Sequence, residues 1–150
     1  MIMYRDTITL FNRKPGTRGQ GDTWYPTVIK NVDLRIDRAA ILAKYGSQSQ
    51  DNAVLHVRYK LDGAETMVAG KQWMPPKEWD KTEDSITFAS GNEFDFFFKG
   101  EWEEGIVTDA DPRWNTEGFY NYMNRTRDYV FAITSVARYS LIPHFEIMGK

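Results

Sequence analysis

Between Val32 and Asp37 the chain reads Val-Asp-Leu-Arg-Ile-Asp, with apolar and charged residues alternating at every step. Side chains of an extended strand alternate between two faces, so this pattern describes a strand with one buried face rather than a helix, whose period is 3.6. The same alternation recurs along the chain. In "YRDTITLF" Ile8 and Leu10 oppose Thr7 and Thr9, and in "VLHVRYKL" Leu55, Val57, Tyr59 and Leu61 oppose His56, Arg58 and Lys60. Shorter strand-like runs follow at "SITFA", "FDFFFKG", "GIVTDA", "YVFAITSV" and "HFEIM". Turn-forming residues separate them, and "TMVAG" is placed to pair back across "DGAE". Pro26 has no amide proton, which puts an edge or a bulge in the strand that carries it.

The remaining segments are less regular. "RAAILAKY" fits a helical turn or a short strand, "GSQSQDN" reads as a polar loop, and two prolines make "KQWMPPKEWD" irregular. A helix is expected within "NTEGFYNYMNRT", where Phe119, Tyr122 and Met123 share a face. Thr116 or Asn115 offers a cap for it, and Gly118 weakens it. The expected fold is mainly β: a single domain over residues 1–150, built as a small β-barrel or sandwich with one short helix and long loops.

Composition narrows the function. Aromatics reach 15% while the hydrophobic total is 41%, so large rings must supply much of the core. With no cysteine there is neither a disulfide scaffold nor a thiolate metal site. A net charge of −2 gives no general attraction to nucleic acid or anionic membrane. No apolar run approaches the roughly 20 residues of a membrane span. The opening "MIMYRDTITLF" reads as a strand rather than a secretory leader, so a soluble chain made in the cytoplasm is expected.

Residues that carry chemistry are sparse. His56 and His144 fall on the polar sides of strands, outside any ligand spacing, and are expected to be solvated. No G-x-S-x-G elbow is present. Glu101, Glu103, Glu104, Asp109 and Asp111 read as a solvated acidic rim; the alternatives are a hard-cation site or, for Glu103, Glu104, Asp109 and Asp111, the acids of an enzyme, for instance one acting on glycans. The loop "RKPGTRGQGD" joins two strands and lacks the P-loop pattern. It reads either as a flexible hairpin or as a basic arm in which Arg13, Lys14 and Arg18 face a partner or DNA. Trp102, Phe94 and Phe96 lie among acids, which argues against stacking on nucleic acid. The expectation is a protein with no catalytic, cofactor or metal site.

"NEFDFFFKGEW" poses one further question. Phe94, Phe96 and Phe98 share a strand face, which leaves Phe97 on the other with Asp95 and Lys99. Phe97 is either an anchor for another subunit or packs beneath "KQWMPPKEW".

The order of segments resembles the tailed-bacteriophage head–tail joining proteins. The opening "ITLFNR", a glycine-containing loop and "DTWYPTVIKNVDLRID" are similar to their beginning, and "DYVFAITSVARY" followed by "HFEIMGK" to their closing strands. Pro76, Lys77, Glu78, Trp79 and "EFDFFFKG" resemble elements of small phage and prophage structural proteins of Gram-positive hosts, with Glu93 and Phe94 replacing a glycine–aspartate step. This resemblance implies a virion protein made in the host bacterial cytoplasm: a connector or head-closure subunit, assembled as a homo-oligomeric ring in the neck. Portal or adaptor and tail proteins would be its partners, with non-specific contact to channel DNA and no membrane. Arg13, Lys14, Arg18, Phe97 and Trp102 are the candidate arm and interface residues. A tail terminator or other tail ring protein, or a ligand-binding β-barrel with tryptophans lining a cavity, are the alternatives.

Overall fold

The computed structural model describes residues 3–18, 20–37 and 52–150. "RAAILAKY" and most of "GSQSQDN" lie outside the described residues. The strands are β1 (Asp6–Lys14), β2 (Thr23–Ile36), β3 (Ala53–Arg58), β4 (Lys60–Asp62), β5 (Glu65–Val68), β6 (Lys71–Trp73), β7 (Ser85–Ile86), β8 (Phe96–Lys99), β9 (Val107–Thr108), β10 (Val130–Tyr139) and β11 (His144–Gly149). A helix, α1 (Phe119–Thr126), precedes β10.

Six strands close into an antiparallel barrel in the order β1-β8-β10-β11-β3-β2, sealed by pairing of β2 with β1. Of the two expected architectures, barrel and sandwich, the barrel forms. β9 adds to one end of β2. β4 to β7 make a separate small sheet, with β4 and β5 joined by the "DGAE" turn and β6 parallel to β7.

The alternation builds the barrel interior. Ile8 and Leu10 of β1, Leu55 and Val57 of β3, and Phe145 and Ile147 of β11 all point into it. β2 contributes both Ile29 and Val32, three residues apart. This odd step needs an inserted residue, supplied where Asn31 takes φ 58 and the register slips opposite Asp6 and Thr7. The expected irregularity of this strand is therefore a bulge at Asn31, while Pro26 lies on a stretch of open edge.

A second core sits outside the barrel. Phe11, Trp24, Phe96 and Phe98 leave the outer face of β1, β2 and β8, and are covered by Trp102, Trp114, Phe119 and Met123. Phe11 stacks on Phe96 at 4.9 Å and meets Phe119 edge-on at 5.0 Å. Such ring pairs add about 0.5–1.5 kcal/mol each beyond area burial. β8 is thus buried on both faces, and this accounts for its run of phenylalanines.

Two expectations are corrected here. Phe97 is fully buried in the barrel interior, 5.5 Å from Phe131 between ring centroids, so it cannot anchor a neighbour in the folded subunit. Of the segment "KQWMPPKEW" expected to cover it, Trp73 packs against the same core cluster. Trp102 is 9% exposed, donates Nε1–H to Gly105 O and is held edge-on to Phe11, so it too belongs to the fold rather than to an interface.

Helix α1 is capped from a distance, by neither Thr116 nor Asn115. Gly118 at its N-cap takes φ 87, a conformation that suits glycine. Asp109 Oδ1 accepts the Phe119 N–H (3.0 Å) and Trp24 Nε1–H (2.8 Å), and Oδ2 accepts the Asp22 N–H (3.2 Å). One carboxylate therefore ties helix, second core and β1–β2 loop together. Asp109→Ala should cost about 1–3 kcal/mol in urea unfolding followed by tryptophan fluorescence. Asp109→Asn, which keeps one acceptor oxygen, should lose less.

Candidate functional site

One end of the barrel carries the most exposed of the large apolar side chains among the described residues. The turn between β10 and β11 presents Leu141, 97% exposed, and Ile142, 70% exposed. Leu61 lies in the adjoining segment at 62% exposure. It was expected to point inward, but the barrel strand ends at Arg58 and β4 departs into the small sheet. The end is built firmly. Tyr59 donates N–H to Pro143 O (3.4 Å) and its hydroxyl to Tyr139 O (3.0 Å), and the Tyr139 ring stacks on His144 at 4.9 Å.

Beside this end lies a groove of about 930 Å³, floored by Val28–Val32 and walled by Tyr59, Met67 and Ile142 among others. Its floor is a strand edge. β2 pairs with β1 along most of its length, but on its other side it pairs only at Thr23–Trp24 with β9 and at Asp33–Ile36 with β3. Among the described residues no strand covers the stretch between. An open edge next to exposed apolar side chains is a surface suited to meeting another chain.

The predicted arm is shorter than the sequence suggests. Arg13 and Lys14 belong to β1, opposite Trp24 and Thr23. The Arg13 guanidinium lies between the rings of Trp24 and Phe94, 4.5 Å from each centroid, with Asp22 at 3.4 Å. Its charge is held inside the fold. Lys14 and Arg18 are exposed. The loop between is tied across its base by the Gly16 N–H donating to Asp22 Oδ1 (3.0 Å), and internally by the Gln20 N–H donating to Thr17 O (3.0 Å).

The acids do not converge. Glu104 and Asp111 both pair with Arg113, at 2.7 and 3.0 Å, Glu101 lies 3.6 Å from Lys30, and Asp109 is the structural tie already described. Among the described residues no three metal-ligating side chains gather. His56 is buried, not solvated, because register places it between Asp33 of β2 and Glu146 of β11, with Nδ1 3.3 Å and Nε2 3.5 Å from their carboxylates. Phe97, Phe131 and Phe145 fill the barrel interior with Trp73 packed against them, and Trp24, Trp102 and Trp114 belong to the external core.

Sequence reasoning missed Asp95. It is 1% exposed, one residue before β8, and accepts N–H bonds from Arg13 (2.8 Å) and Ala89 (2.9 Å) and from Asn12 Nδ2 (2.8 Å). Burial pushes its carboxyl up to about 7, against the pull of those donors and of the Arg13 charge.

These features define a small closed β-barrel protein with an appended sheet, an external aromatic core and one apolar end. The chain belongs to a family of unknown function (DUF6751), whose profile matches residues 3–150. Comparison with curated proteins and with solved structures found no match.

Proposed function

We propose that the chain is a structural subunit of a tailed-bacteriophage virion, a connector or head-closure protein that acts in the neck by assembling into a ring. The observation that carries this reading is the barrel end, where Leu141 and Ile142 stand in solvent beside the open edge of β2. A ring of identical copies joins one surface to a different surface on the neighbour, and exposed apolar side chains beside an unpaired edge supply one such surface. A barrel packed on the inside and buttressed on the outside holds that surface rigid. Lys14 and Arg18, exposed near the β1–β2 turn, provide the positive charge to face an acidic neighbour or channel DNA.

Replacing both Leu141 and Ile142 with aspartate should leave the unfolding midpoint nearly unchanged, since both side chains already face water. The same variant should lose self-association in sedimentation velocity at high concentration. In virions, particles made without the protein should leave heads that leak DNA beside finished, unattached tails. Tails of abnormal length would instead indicate a tail terminator, and normal particles would end the proposal.

A further inference from the structure

The groove at the barrel end opens where two strands part. β2 and β3 pair from Ile36 and Ala53 as far as Asp33 and His56, and the residues beyond, 28–32 and 57–60, become two sides of the groove. Five residues of β2 thus present an unshared edge, about 17 Å long at strand rise. Lys60 and Met67, directly opposite one another in the β4–β5 pair, add a further wall. The stretch is a seat for one more strand.

The lining selects the kind of strand. A segment laid beside β2 continues its alternation. One of its faces turns with Ile29 and Val32 toward the barrel core, where Val57 also lies, and apolar side chains are favoured there. Its other face turns outward with Lys30. Arg58 and Lys60, both exposed, line the groove as well, and among the described residues no acid does. The ion pair of Lys30 with Glu101, at 3.6 Å, is exposed and yields easily. Three cations and no anion call for carboxylates.

A second copy is a poor occupant. Lys30, the bulge at Asn31 and the neighbouring Pro26 are devices that keep like edges apart, and two such edges would set lysine against lysine. The chain's own acidic and apolar alternation from Glu93 to Phe96 is committed to the fold, with Asp95 and Phe96 buried.

We propose that the free edge of β2 docks an extended acidic segment of another protein. The segment adds as a strand along residues 28–32, with apolar side chains inward and carboxylates toward Lys30, Arg58 and Lys60. The inference rests on reading this barrel end as a meeting surface and supplies the chemistry of the partner.

The test is titration of the full chain with a capped peptide of alternating glutamate and valine, about seven residues long, followed by calorimetry and amide hydrogen exchange. Saturable binding at or below about 1 mM, with slowed exchange within residues 28–32, is the expected result. The same peptide with lysine in place of glutamate should not bind. Alternate amides of a strand point to opposite edges, so N-methylation of the valines alone or of the glutamates alone should abolish binding in one case and spare it in the other. Lys60→Glu, at an exposed position, should weaken binding about 5- to 10-fold and leave the unfolding midpoint unchanged. Equal binding of the lysine peptide, binding without protection of residues 28–32, or no binding would overturn the proposal. The ring reading is judged separately, by self-association of the Leu141 and Ile142 variant. Lost self-association without peptide binding would remove this partner and keep the ring; peptide binding with self-association unchanged would do the reverse.

Discussion

Truncating Phe97 to alanine should destabilise the subunit by about 3–5 kcal/mol, the range for removing a fully buried phenylalanine. The ring has 0% exposure, faces Phe131 and lies against the backbone of Gly149, where an added Cβ would come within 3.3 Å of Phe97 Cε1. The barrel wall around it is continuous hydrogen-bonded sheet, which limits collapse into the void. Phe97→Leu should cost about 1–2 kcal/mol less than the alanine variant, since it keeps part of the volume. Urea unfolding at two protein concentrations separates the two roles considered for this residue. A core residue shifts the midpoint equally at both, whereas an interface anchor would shift it only where copies associate. A loss under 1 kcal/mol would contradict the buried placement.

Asp95→Asn should be the second costly substitution. Three N–H groups converge on the carboxylate, with Arg13 on Oδ1 and Ala89 and Asn12 on Oδ2. An amide offers one acceptor oxygen, so its NH2 must face at least one of these donors. Leaving that donor unmatched costs about 1–3 kcal/mol. The wild-type carboxyl also makes stability depend on pH. Its folded pKa of about 7 lies above the ordinary 3.8, so the native state holds the proton more tightly. Stability from this group is therefore greatest in acid, falls as pH rises from about 4 to about 7 and is flat above, by on the order of a few kcal/mol. Because asparagine does not titrate, the difference between wild type and variant isolates this dependence from every other group. That difference should shrink as pH rises from 5 to 8 in urea titrations, and a difference that grows would show the carboxylate to be favoured on folding.

Strand existence was legible because one-sided burial writes a period of two into the sequence, as in Val32 to Asp37. Two-sided burial erases that period. Phe96, Phe97 and Phe98 could be read as strand, yet nothing local reveals which face meets the barrel and which meets an external core assembled from residues as distant as Phe11 and Val130. Asp95 and His56 misled for the opposite reason. A charged or polar residue reads as solvent-facing unless its partners are known, and those partners come from distant strands: Asn12 and Arg13 for one, Asp33 and Glu146 for the other. The cap of α1 escaped similarly, since Asp109 lies ten positions before the amide it accepts. The apolar end did leave a local trace. Leu141 and Ile142 occupy a turn where glycine, asparagine, aspartate or serine is the norm, so they mark a site even without coordinates.

Strand order also governs when the barrel can exist at all. β11 is not an edge; it lies between β10 and β3, and its last residue pairs with Ala53. During synthesis, then, the first three barrel strands must wait through the making of some ninety further residues before their circle can shut. Until Gly149 emerges from the ribosome, β3 offers a bare rim to any passing strand, and the growing chain carries that unpaired edge for as long as β11 is unmade.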